Sequence, residues 1–171
     1  TTNFKVFKHF SVSVGGSYKE IWSGKTIKYN NYNEDYGVVK DTISGFERFG
    51  TYNYNASVTT KIYGILNFKE KNKVQSIRHT ITPSISYSNN PSFEKYYDTY
   101  IIDAEGNTAE YTRFEGGLYG APGKSYSSSI GISIQNTLEA KVKSKDSTET
   151  ELRKVNILKN LNISTGYNIA A

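Results

Sequence analysis

The sequence predicts an all-β protein, a segment of an antiparallel transmembrane β-barrel with about five long strands. Three observations lead there. Between Tyr52 and Phe68 the even positions read Tyr52, Tyr54, Ala56, Val58, Thr60, Ile62, Gly64, Leu66, Phe68, while the odd positions are mostly polar. Side chains of a strand alternate between faces, so one face is apolar and the other polar over seventeen residues. An ordinary globular strand is only about 5–6 residues long. Aromatics at both ends, with small and aliphatic residues between, form the pattern of a girdled, lipid-facing band. Second, only 36% of residues are hydrophobic and the mean hydropathy is −0.58. No apolar run is long enough for a membrane-spanning helix, which needs about 20 residues, whereas alternating barrel strands keep mean hydropathy low. Third, the connections alternate long, short, long, short, the wiring of barrels with long outer loops and short periplasmic turns.

The first strand is predicted at residues 4–15, where Phe4, Val6, Phe10, Val12 and Val14 share one parity and Lys8 and Phe7 break it. Gly15-Gly16 then opens a polar stretch, residues 16–50, predicted to be a long surface loop. The central strand, 51–68, ends in the charged turn Lys69-Glu70-Lys71-Asn72-Lys73. A third strand follows at 76–88, with Ile77, His79, Ile81, Pro83, Ile85 and Tyr87 on one face. Pro83 has no donor for the ladder, so it marks a bulge or a weakly paired position. A second long loop, 89–125, carries Pro91, Tyr96-Tyr97, Gly116-Gly117 and Gly120-Ala121-Pro122-Gly123. Strands at 126–142 and 154–170 flank a polar connection from Lys143 to Arg153.

Five strands cannot close a membrane barrel, whose single-chain bacterial members have an even number of at least eight. The 171 residues are therefore read as part of one larger barrel domain, with the first strand running outward. The absence of a leader pattern at Thr1 and of any Met is read as a processed chain or an internal piece. With no Cys there is no disulfide framework and no thiolate site. Fifteen Tyr, eight Phe and one Trp suit interfacial belts. The net charge of +5 permits an acidic partner, but Lys and Arg form no dense cluster of the kind nucleic acid requires, and none is expected to bind.

On this reading the lipid-facing band comprises Tyr52, Tyr54, Val58, Ile62, Leu66, Phe68, Ile130, Ile132, Ile134 and Leu138. Lys5, His9, Lys61, Arg78, Glu139 and Lys141 project into the lumen, and Lys61, Arg78 and Lys141 are the basic candidates for contact with an anionic lipid or a plug. The plainer alternative is that they solvate a watery interior or pair with each other, since a polar interior belongs to any large barrel. His9 and His79 lack the companions of a metal site, and His79 is expected near an interface. Asp98, Asp103, Glu105 and Glu110 lie in the second loop without the spacing of a calcium loop. No catalytic triad or carboxylate dyad stands out, so neither enzymatic activity nor a cofactor is expected. The sequons at Asn55 and Asn162 fall inside strands and are taken as chance matches.

A resemblance adds to this. The runs Ser44-Gly45-Phe46, Thr51-Tyr52-Asn53-Tyr54, Thr60-Lys61-Ile62-Tyr63-Gly64, Arg78-His79-Thr80-Ile81-Thr82-Pro83-Ser84, Phe114-Glu115-Gly116-Gly117-Leu118-Tyr119-Gly120 and Asn160-Leu161-Asn162-Ile163-Ser164-Thr165 resemble the barrel region of LptD-type lipopolysaccharide-assembly proteins, most closely their large divergent branch. The similarity spans roughly Phe46 to Ala170. It implies a very large outer-membrane barrel of a Gram-negative bacterium, filled by a plug lipoprotein of the LptE type. Such a barrel receives lipopolysaccharide from periplasmic bridge proteins and releases it sideways into the outer leaflet, among the outer-membrane lipid. The alternatives are another outer-membrane barrel (a porin, nutrient transporter or protein exporter) and a secreted β-sandwich, for which the strands are too long and their faces too apolar.

Overall fold

A computed structural model describes residues 1–143 and 152–170. The connection between the last two predicted strands lies largely outside them. The described residues form nine strands: β1 (Thr2–Val6), β2 (Phe10–Tyr29), β3 (Lys40–Thr60), β4 (Ile62–Asn67), β5 (Val74–Asn90), β6 (Tyr97–Ile101), β7 (Thr108–Thr112), β8 (Ser127–Lys143) and β9 (Leu152–Asn168). Seven make one antiparallel sheet in the order β1-β2-β3-β5-β8-β9, with β4 beside β5 as the continuation of β3. The other two, β6 and β7, form a separate hairpin. The sheet is open within these residues.

Register turns the alternation into two faces. Directly opposed residues of an antiparallel pair share a face. The ladder Val12↔Val58, Val58↔Ile85, Ile85↔Ile132 and Ile132↔Thr165 therefore puts the even positions of β2, β3, β8 and the odd positions of β5, β9 on one side. That side is apolar and exposed across the sheet. The other side carries Ser57, Ser86, Gly131 and Gly166 on the neighbouring rung, and is polar.

The residues between 16 and 50 are not a loop. They are the upper halves of β2 and β3, paired from Gly16↔Tyr54 to Tyr29↔Lys40, with only 30–39 left as the connection. Polar composition disguised them, because this hairpin stands beyond the apolar band and its few large apolar side chains, Tyr18, Trp22, Ile43 and Phe46 among them, are set between charged residues. Nor does Gly15-Gly16 break the strand. A Cβ at Gly15 would lie 2.9 Å from Asn55 Oδ1, and one at Gly16 would lie 3.2 Å from the Asn53 carbonyl oxygen. These glycines let the two strands approach. One β3 residue is inserted between Ser23 and Lys25, where the register slips.

Two further predicted strands divide. Residues 4–15 hold a tight turn at Phe7-Lys8-His9, with φ of 48° and 63° at Phe7 and Lys8. No Gly or Asn signals this left-handed turn in the sequence. Residues 51–68 lapse at Lys61, opposite Thr82 and Pro83. Thr59 pairs with Ser84 and Ile62 with Ile81, three steps on each strand, so the missing proline donor interrupts the ladder without a bulge.

The predicted loop 89–125 also has structure. A short 3₁₀ turn at Glu94–Tyr96 leads into the β6-β7 hairpin. Phe49, Phe93, Tyr111, Phe114 and Pro122 are buried there, whereas Ala140 is a buried apolar side chain of the sheet. The molecule's aromatic core is thus at the β2-β3 end of the sheet and not in its middle.

Candidate functional site

The polar face has two zones. In its middle, small uncharged groups bond across strands: Ser84 Oγ and Ser133 Oγ are 2.8 Å apart, Ser88 Oγ and Ser129 Oγ 3.2 Å, and Thr59 Oγ1 donates to the Pro83 carbonyl at 3.1 Å. Thr59, Thr82, Ser84, Ser133, Gln135 and Asn162 line a shallow recess of about 320 Å³ here. Toward the β4-β5 turn the face becomes charged. Arg78 and Glu139 are direct cross-strand partners and form an ion pair, with Arg78 Nε donating to Glu139 Oε2 at 3.0 Å. Lys141 and Lys154, also cross-strand partners, line the same recess of about 340 Å³.

The basic candidates named from the sequence therefore separate. Arg78 and Lys141 lie in one charged recess, where Glu139 already engages Arg78. Lys61 sits apart, at the lapse between β3 and β4. Lys5 faces Ser11 on the polar side, whereas His9 belongs to the turn after β1. His79 lies on the apolar side, with Nε2 3.1 Å from Asn136 Oδ1, which gives its ring a polar partner. Of the ten proposed band residues, nine fall on the apolar side within β3, β4 and β8, and Phe68 follows the end of β4.

The segment 91–124, with its 3₁₀ turn and β6-β7 hairpin, forms a cap that is held to the polar side of β3 through Phe49. Its ring is 4.6 Å from that of Phe114 and 5.9 Å from that of Tyr96, centroid to centroid. A second cluster stacks Tyr29 on Tyr100 at 4.5 Å, with Tyr111 edge-on to both. Backbone bonds add to this: the Ile27 amide donates to the Arg113 carbonyl and the Tyr32 amide to that of Ile101. Lys124 reaches Glu110 at 2.5 and 2.7 Å, and the hydrogen bond and charge of that carboxylate raise the Lys124 pKa. Asp98 and Glu110, carboxylates of the predicted second loop, thus pair with Arg113 and Lys124. Asp103 accepts from the Asn107 amide groups in a turn.

On the apolar side, above Tyr18, lies a group the sequence reading missed. Glu20 accepts hydrogen bonds from Tyr18 OH at 2.7 Å, Trp22 Nε1 at 2.8 Å and Arg48 Nη1 at 2.9 Å. These donors, the Tyr18 hydroxyl foremost, hold the Glu20 pKa down to about 2. The signal was the Tyr18-Glu20-Trp22 alternation, which places three residues on one face once the segment is a strand.

A family model described as LptD protein matches residues 1–171. The chain belongs to the LptD family. The match covers the apolar wall, the neutral and charged zones of its polar face, and the cap. Membership carries lipopolysaccharide transport and assembly as the family-level function, and the all-strand architecture is compatible with an outer-membrane site. No curated protein and no solved structure matches the chain.

Proposed function

We propose that this chain forms a sector of an outer-membrane LptD barrel through which lipopolysaccharide reaches the outer leaflet, the apolar face meeting lipid and the polar face lining the lumen. The observation that supports this most is the drift of the aromatic girdle. Tyr18 and Tyr52 share one rung, whereas Tyr167 on β9 shares its rung with Ile130, Tyr87, Ala56 and Val14. From β2 to β9 the girdle thus descends four residues over four strand steps, the whole drop being reached at Tyr87 on β5. Averaged across the sector this is one residue per strand, which at about 3.3 Å rise and about 4.8 Å strand separation corresponds to a mean tilt of about 35°. Membrane barrels tilt their strands by about 35–45°, so a level girdle on a tilted wall has this drift.

The lumen wall is then suited to a glycolipid head group or a plug. Its central hydroxyls and amides offer neutral hydrogen-bonding groups, and the Arg78, Lys141 and Lys154 zone offers cations for phosphates near the periplasmic end. We assign the wall a transport role without chemistry of its own, working with an LptE-type plug lipoprotein and periplasmic bridge proteins.

The test is to purify the native, full protein in detergent and identify what accompanies it. Lipopolysaccharide and a small lipoprotein are expected, and a photo-crosslinker at Gln135 should capture one of them. A protein that is soluble without detergent, or that carries neither molecule and crosslinks to neither, overturns the assignment.

A further inference from the structure

We infer that the outward face of the β2-β3 hairpin just above the girdle is a binding platform for a phosphorylated sugar, the head group of glycolipid standing in the leaflet around the barrel. This rests on the lipid-facing assignment above. Tyr18, Trp22 and Phe46 are 67%, 67% and 68% exposed, unusual for three large rings on one short patch. Trp22 and Phe46 meet edge-on, centroids 5.9 Å apart and planes at 67°, and so form a corner of two aromatic walls. The C–H face of a pyranose carries slight positive charge and packs on the negative face of such rings.

The polar part of the patch is built to keep this corner in place. Glu20 holds Trp22 by its indole N–H and Tyr18 by its hydroxyl, and the Tyr18 ring lies over Gly50, so that much of each ring remains exposed. Its remaining bond fixes Arg48, whose side chain is still 66% exposed beside the corner. The guanidinium has five N–H donors, and one bond to Glu20 leaves others to meet a phosphate in a forked geometry.

Height selects the occupant. Trp22 lies four residues beyond Tyr18 along β2, roughly 11 Å above the girdle for a strand tilted by about 35°. That is past the hydrocarbon and past an ordinary head-group layer, about 5–8 Å deep on each side, at a height that only a larger sugar head group reaches. A bare fatty-acyl surface would find a carboxylate and a guanidinium here, and a purely aqueous one would find three exposed rings. A sugar bearing phosphate matches both. The patch is distinct from the lumen wall, so it concerns lipid surrounding the barrel and not lipid in passage.

The sequence has one tryptophan, Trp22, inside the patch. The full protein in detergent, and its Trp22→Phe variant, should be titrated with deacylated, phosphorylated lipopolysaccharide core oligosaccharide while emission is recorded. The difference between the two spectra isolates Trp22. A saturable change is expected, with Arg48→Ala raising the half-saturation concentration about tenfold, the factor that 1.4 kcal/mol represents, and Phe46→Ala raising it several-fold. Heat-modifiable migration of the same samples reports the barrel independently. A heat-modifiable protein whose Trp22 spectrum does not respond, responds equally to phosphatidylglycerol vesicles lacking sugar, or responds unchanged in both alanine variants, overturns the platform alone. A protein whose migration does not change on heating overturns the barrel reading, and the height argument with it.

Discussion

The wall and the cap are built from the same residue types turned in opposite directions. In the wall, Ile85, Ile132 and Ile163 remain exposed on one side of a sheet that has no second layer. In the cap, Phe49 and Phe114 are 3% and 4% exposed, within an aromatic cluster of conventional kind. The difference teaches that apolar residues do not by themselves specify an inside. Their surroundings do: on the function proposed above the wall keeps its apolar groups out of water by leaving them to lipid, while the cap must bury its own.

The largest way to break this comparison is at the cap. Phe114→Ala removes a buried ring, which costs about 3–5 kcal/mol where the site cannot collapse. Amide hydrogen exchange should accelerate in Tyr97–Thr112 and stay unchanged in β5 and β8; equal acceleration in all three would show that wall and cap are one cooperative unit. Next is Ile132→Lys, placed mid-wall on the apolar face, with an expected cost of about 2–4 kcal/mol in a bilayer. Ser133→Lys, one residue on and on the polar face, should cost only about 1 kcal/mol, for the hydrogen bond to Ser84 that it removes. Urea titrations in vesicles would measure both, and equal costs would erase the distinction between the faces.

A smaller effect is expected at the Arg78-Glu139 pair. Both groups are partly exposed, so Arg78→Ala should cost about 1 kcal/mol or less, and less again in high salt. The smallest change sharpens the comparison at its border. The Glu20 pKa is lowered from 4.5 to about 2, so its stabilising contribution is present above the unfolded value and is lost as pH falls through about 2. Trp22 emission should therefore hold constant from neutrality down to about pH 4 and shift below about pH 3, and Glu20→Ala should abolish the transition.

The wall was legible because period-two alternation follows the boundary between its two faces, lipid and lumen on the function proposed above. Tyr52, Val58, Ile62 and Ile132 could be assigned to one face from parity alone. The upper hairpin was illegible because no such boundary acts on it: Glu20, Arg48 and Lys40 meet water or the cap, so composition reads as loop while the backbone remains paired. The turn at Phe7-Lys8-His9 was hidden for another reason, since its left-handed residues are not the ones that favour that conformation. Arg78 and Lys141 were found by parity, but the carboxylate engaging Arg78 followed only from register, which alternation does not supply.

The girdle's place on alternating strands has a consequence for heredity. A single codon gained or lost within β5 or β8 would turn every later residue of that strand to the wrong solvent. Two codons gained or lost would keep the faces and displace one ring of the girdle by roughly 5 Å in height. Length changes in the spanning parts of this gene should therefore accumulate in pairs, while the cap, free of that arithmetic, should admit them singly.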